Sequence, residues 1–141
     1  MAGIKFNGYI VNELDFTNEL KQAGNLNLST RASYNVQYAN GENRCIATCV
    51  IDMMDEKNPN EFNFKISVRG MFEYEAGMEK KEIHKSTYDE LFPFVRVIVA
   101  NTFTNAGLPP MMIQKIEMND ENINVGNDNK AEKEEKPKFY S

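Results

Sequence analysis

Three runs of alternating apolar and polar residues follow one another between residues 26 and 74, and a segment with helical spacing comes after them. A side-chain period of two fits a strand with one covered face, so this order restricts the chain to a sheet carrying a helical cover. The clearest run, 26 to 38, places Leu26, Leu28, Ala32, Tyr34, Val36 and Tyr38 on one face and Asn27, Ser29, Arg31, Ser33, Asn35 and Gln37 on the other. Asn40-Gly41, tolerant of positive φ, joins it to a second run at about 44 to 54, which predicts a hairpin over 26–54. The second run is apolar on both sides, with Cys45, Ala47, Cys49, Ile51 and Met53 opposed to Ile46, Val50 and Met54, a pattern that suits a strand covered on both faces. After the turn-rich stretch 55–60, Phe62, Phe64, Ile66, Val68, Gly70, Phe72 and Tyr74 alternate with more polar residues and predict another strand. Connections this short exclude parallel neighbours, so the three strands read as an antiparallel meander. Ahead of them Ile4, Phe6, Ile10, Leu14 and Phe16 share even positions, interrupted at Gly8 and Asn12, which predicts a bent first strand.

The period changes at Leu91. Leu91, Val95, Ile98, Val99, Thr102 and Phe103 lie at helical spacing, and Gly107 followed by Pro109-Pro110 supplies a left-handed cap and a block to continuation. Thr87 and Glu90 have capping-box spacing, yet Pro93 would then fall inside the helix, so the expectation is a short turn followed by a main helix from Pro93. Phe92, Phe94, Val97 and Ala100 widen the apolar surface beyond one stripe, which self-association would explain. The fold class is α+β: a four-stranded antiparallel meander followed by one long amphipathic helix. With 141 residues the chain fits one core, assigned to 1–118, followed by a polar tail over 119–141 that has almost nothing to bury and is expected to be disordered.

Composition removes several classes of function. A net charge of −5 without a Lys/Arg cluster disfavours nucleic acid and anionic membranes alike. No apolar run approaches the length of a membrane span and no secretory leader is visible, which makes the cytoplasm the expected location and membrane insertion unexpected. Cys45 and Cys49, four apart on one strand, point the same way at about 13 Å separation and should be buried free thiols. His84 is the single histidine, expected as a solvated residue between the last strand and the helix. No phosphate-binding glycine loop, nucleophile pair or metal-ligand cluster is present in the sequence pattern, so no enzyme activity, catalytic residue, metal or other cofactor is expected. Methionines are abundant instead: Met53, Met54, Met71, Met78, Met111, Met112 and Met118 either fill irregular core gaps or form an adaptable apolar surface.

Several strings, in order and at comparable spacing on this framework, resemble the SecB family of protein-export chaperones. Leu91-Phe92-Pro93-Phe94-Val95-Arg96 is similar to that family's Leu-Phe-Pro-Tyr-Ala-Arg helix start, and Gly107 with the following proline segment is similar to its helix end. Gly70-Met71-Phe72 and Glu13-Leu14-Asp15-Phe16 add support, and the likeness spans most of residues 4 to 113. The resemblance implies a dimer of dimers with long helices packed at the centre, and an ATP-independent holdase that binds unfolded polypeptides or preproteins along apolar grooves and delivers them to the motor SecA. Under that reading the client-binding groove is drawn from Met53, Met54, Phe62, Phe64, Phe92, Leu108, Pro109, Met111 and Ile113, and the homotetramer interface from Phe94, Val97 and Ala100. Two departures stand out. Lys65 occupies a position where the family's motor-docking patch is acidic, which argues against SecA, and Gln114 to Met118 run into polar tail where a second helix is usual. Some SecB-like proteins serve a dedicated client such as an antitoxin. The alternative is an adaptor that reuses the fold for one fixed partner.

Overall fold

The computed structural model describes residues 3–20 and 27–115. Its elements are β1 (Ile4–Asn18), β2 (Leu28–Tyr38), β3 (Arg44–Asp55), β4 (Phe62–Tyr74) and α1 (Lys80–Asn105). β2, β3 and β4 form the expected meander, with Tyr38 opposite Cys45 and Met54 opposite Asn63. The meander does not extend to β1. The sheet order is β1-β4-β3-β2, so β1 and β2 occupy opposite edges of the sheet. The aromatic pairs explain the choice of neighbour: Phe6 stacks on Phe72 at 4.9 Å, and Phe16 meets Phe62 and Phe64 edge-on at 5.5 and 5.8 Å.

β1 also departs from simple alternation. Its register on β4 shifts between Phe6 and Gly8 and again between Val11 and Glu13, and Gly8 adopts φ 125°, a conformation open to a residue without Cβ. Between the two shifts the facing residues change parity. Tyr9 and Val11 stand opposite Gly70 and Val68, on the helix side, while Ile10 stands opposite Arg69 on the other side. The second shift restores Leu14 and Phe16 to the helix side. The interruptions at Gly8 and Asn12 are therefore bulges, and Ile10 is not a core-facing residue.

α1 begins at Lys80, well before Pro93, so the expected short turn is part of one helix. Tertiary burial decides this, because Ile83, His84, Thr87 and Tyr88 continue the buried stripe of Leu91, Phe92, Val95, Val99 and Phe103 upstream at the same spacing. Thr87 does not cap the helix; it is fully buried within it, and Glu79 at the N-cap makes no side-chain cap bond. Pro93 lies on the exposed side, where its ring meets no sheet, and it has no N–H to offer the carbonyl of Asp89. Phe103 completes the core near the helix end, 5.7 Å from the Phe16 ring and 5.5 Å from Phe64.

The helix terminates as expected. Gly107 takes φ 85° and donates its N–H to Thr104 C=O, while Leu108 N–H donates to Phe103 C=O. These two bonds make a Schellman turn, which reverses the chain and brings Leu108 back against the last helical turn. The expected boundary at 118 and the tail over 119–141 lie outside the described residues.

Candidate functional site

His84 was expected in solvent, but α1 carries it into the core at 3% exposure. Its ring meets Tyr34 of β2 at 5.0 Å, edge to face, and desolvation pushes its pKa below the ordinary imidazole value. Tyr34 donates its hydroxyl proton to Thr87 Oγ1 at 2.5 Å, and Thr87 in turn donates to the His84 carbonyl at 3.2 Å. Burial also holds the Tyr34 hydroxyl well above its usual pKa, so this chain of hydroxyls is neutral and structural. Cys45 and Cys49 are free and buried as expected, their thiols pushed up to about 11 and about 12 by desolvation, values that leave almost no thiolate near neutral pH.

On the helix layer the two flanks of α1 differ. Toward β1, Phe94 packs on Phe6 and Tyr9 with ring centroids at 5.4 and 5.0 Å. Nothing among the described residues closes over that seam: Tyr9, Val11 and Leu14 of β1 and Phe94 and Val97 of α1 remain 37 to 54% exposed, forming an apolar band along the edge of the layer. On the opposite flank, residues 108–115 return along the helix. Lys115 Nζ reaches Asp89 Oδ1 at 2.6 Å and stands 6.0 Å from the centre of the Tyr88 ring, while Ile113 is buried in the core cluster.

The face of the sheet away from the helix is polar. Register places Asp15, Lys65, Asp52 and Arg31 in one row across all four strands, so the charges alternate in sign. Lys65 also lies 3.7 Å from Glu13. An open depression of about 320 Å³ lies on this face, lined by residues including Asn12, Ser33, Asn35, Ser67 and Arg69. Among the described residues no three metal-ligating side chains cluster, and no helix is long and apolar enough to cross a membrane.

Of the residues assigned to a groove from sequence, Met53, Phe62, Phe64, Phe92 and Ile113 are buried in the core and present no surface in this arrangement. Met54 points to the polar side of the sheet, beside Asn63 and Pro59, away from the others. Leu108 and Met111 are partly buried and Pro109 is exposed, and these three do lie together on the returning segment. Phe94 and Val97 are exposed and Ala100 is partly so, all on the outer side of α1. Sequence reasoning did not single out Tyr9, Val11, Asp89 or Lys115, and it named Met112 only within the methionine set. The break at Gly8 is the signal for the first two; the Lys115–Asp89 pairing leaves no local trace.

No protein-family model matches the chain. A protein-export protein SecB from Rhodospirillum centenum is 32% identical over 89 residues, which are 58% of this chain and 53% of that protein; the chain thus matches about half the length of this curated relative. A solved Mycobacterium tuberculosis SecB-like chaperone, in complex with a ChAD peptide from the HigA1 antitoxin, superposes with a TM-score of 0.61 over 81% of this chain and 88% of its own, at 10% identity. The chain is SecB-like in fold. In this SecB-like chain the polar sheet face carries alternating charges, and Glu13 and Glu73 do not join into one acidic patch. Glu73 pairs in register with Lys5 and Arg44, and it stands six residues along β4 from Ser67, the register partner of Glu13, about 20 Å away.

Proposed function

We propose that this SecB-like chain is an ATP-independent holdase that binds non-native polypeptides on the apolar surface of its helix layer. The observation that carries the reading is the returning segment, whose Leu108, Pro109, Met111 and Met112 reach solvent on the helix layer, on the flank of α1 opposite the uncovered band of Tyr9, Val11, Leu14, Phe94 and Val97. Burying such surface against a client contributes about 25 cal/mol per Å² without directional demand, so one surface can accept many unfolded chains. A folded protein hides its apolar segments, and discrimination then follows from exposure in the client.

Within this reading Phe94, Val97 and Ala100, with Tyr9 and Leu14 beside them, join copies of the chain into a homotetramer, and Leu108, Pro109, Met111 and Met112 contact the client. Several such surfaces on one oligomer turn weak contacts into avidity. Preproteins are one client class. A dedicated client is the second reading, favoured by the alternating charge row at Lys65, which does not offer the one-sign patch that a motor such as SecA would dock on, and by the peptide-bound state of the SecB-like neighbour, whose client is an antitoxin segment. The test is suppression of aggregation of several unrelated denatured proteins at near-stoichiometric ratio without nucleotide. Protection of all of them is the expected result, protection of one alone selects the dedicated reading, and protection of none rejects both.

A further inference from the structure

The polar face of the sheet, away from the helix layer, is hollow where short side chains meet long ones. Ser33, Thr48 and Ser67 line the open depression of about 320 Å³ together with the longer Lys65, Arg69 and Gln37, and this size falls within the range of small-ligand sites. The second bulge of β1 feeds the hollow. Asn12 has no register partner on β4, since Val11 stands opposite Val68 and Glu13 opposite Ser67. Its side chain lines the depression, where Ser67 Oγ donates to Asn12 Oδ1 at 3.0 Å. Bulges re-aim side chains in this way beside functional sites.

Two groups lining this hollow have unmet needs. Asn35 is only 6% exposed although it stands on an edge strand, and its Oδ1 is buried with no hydrogen-bond partner among the described residues. Such an acceptor carries the desolvation cost of an unmade bond until a donor arrives. Arg69, in the same row across Thr48, has no ion-pair or hydrogen-bond partner among the described residues. Lys65 Nζ lies 3.7 Å from the Glu13 carboxylate, so that pair is balanced and Arg69 remains the uncompensated charge. Ser67, 5% exposed, donates its proton to Asn12 and keeps lone pairs for a further donor. The hollow therefore offers two buried acceptors and one free cation. Strand and residue spacings set the Cα atoms of Asn35 and Arg69 about 10 Å apart and those of Ser67 and Arg69 about 7 Å apart, a span that one small molecule can bridge.

We propose that this depression binds a small polyhydroxylated carboxylate, of which a sugar acid is the type. Hydroxyls of the ligand donate to Asn35 Oδ1 and Ser67 Oγ, and its carboxylate accepts from the Arg69 guanidinium. A neutral polyol would leave Arg69 unanswered and a simple carboxylate would leave Asn35 unanswered, so the two needs together set the class. Ile46 and Val50 of β3, which also line the hollow, supply apolar contact for the C–H face of a sugar ring. The site lies on the opposite face of the sheet from the helix layer and is independent of the holdase reading.

The test is calorimetric titration of the full chain with glucuronate, with glucose and acetate as probes that each lack one half of the pattern. Glucuronate should bind saturably with a dissociation constant below about 1 mM, and glucose and acetate should bind about tenfold more weakly or worse. Asn35→Leu removes the orphaned acceptor. It should weaken glucuronate binding about tenfold while leaving the thermal unfolding midpoint equal or higher, because a buried unpaired group is gone. Arg69→Gln changes an exposed side chain and keeps the test valid if the Asn35 variant misfolds. It should bring glucuronate down about tenfold, to the affinity of glucose, and leave glucose binding unchanged. No saturable binding of glucuronate, equal affinity for the three probes, or unaltered glucuronate binding in either folded variant would overturn the proposal.

Discussion

The two flanks of α1 are built from similar apolar residues and end in different states. On the β1 side Phe94 and Val97 face Tyr9, Val11 and Leu14 and stay open to solvent. On the other side the chain doubles back and buries Ile113 against the core. The difference comes from backbone and not from composition: two bulges turn β1 so that Tyr9 and Val11 join the helix layer, and a Schellman turn sends 108–115 along the opposite flank. One flank is left open to solvent, and the other is covered in part by the chain's own returning segment.

The sharpest way to break this contrast is to cut the core that both flanks share. Phe103→Ala removes a ring packed on Phe16, Phe62 and Phe64 and should cost about 3–5 kcal/mol in urea unfolding; a loss below about 1 kcal/mol would show that the seam is not packed as described. By comparison, Phe94→Asp with Val97→Asp should leave far-ultraviolet circular dichroism nearly unchanged while light scattering reports a smaller assembly. An unchanged mass would remove the β1 flank from the subunit interface.

The histidine under α1 gives a smaller effect with a defined sign. Its folded pKa is lowered from 6.5 by desolvation, so the unfolded chain takes up a proton first as pH falls. The stability contributed by neutral His84 is fully present above pH 6.5 and declines below it until the folded-state pKa is reached. His84→Gln should flatten that part of the stability–pH profile, and an unchanged slope would mean that the imidazole is not desolvated. Tyr34→Phe, which deletes the hydroxyl bonded to Thr87, should cost only about 1 kcal/mol, measured by the same unfolding titration.

Much of the fold was legible because the relevant signals are local. Alternation over 28–38 and 62–74 and the Asn40-Gly41 turn define the meander within a few residues, and Gly107 marks the helix end. What escaped depends on distant partners. Nothing inside β1 says that it pairs with β4 and not with β2, and the start of α1 is set by burial of His84 and Thr87 against Tyr34 rather than by a capping residue. The candidate site suffered most. Hydrophobicity marks Phe62, Phe64 and Leu14 equally, but only the sheet pairing and the helix position decide that the first two are sealed and the third is not. Asp89 and Lys115 are unremarkable surface charges until the chain reversal brings them together.

The central claim is that apolar groups left open on the helix layer capture unfolded chains. Calorimetric titration of the full chain with a permanently unfolded, reduced and alkylated protein, at several temperatures and without nucleotide, tests it most directly. The account predicts saturable binding with a negative heat-capacity change, the mark of apolar burial. Absence of binding, or binding whose heat-capacity change is near zero, would contradict it.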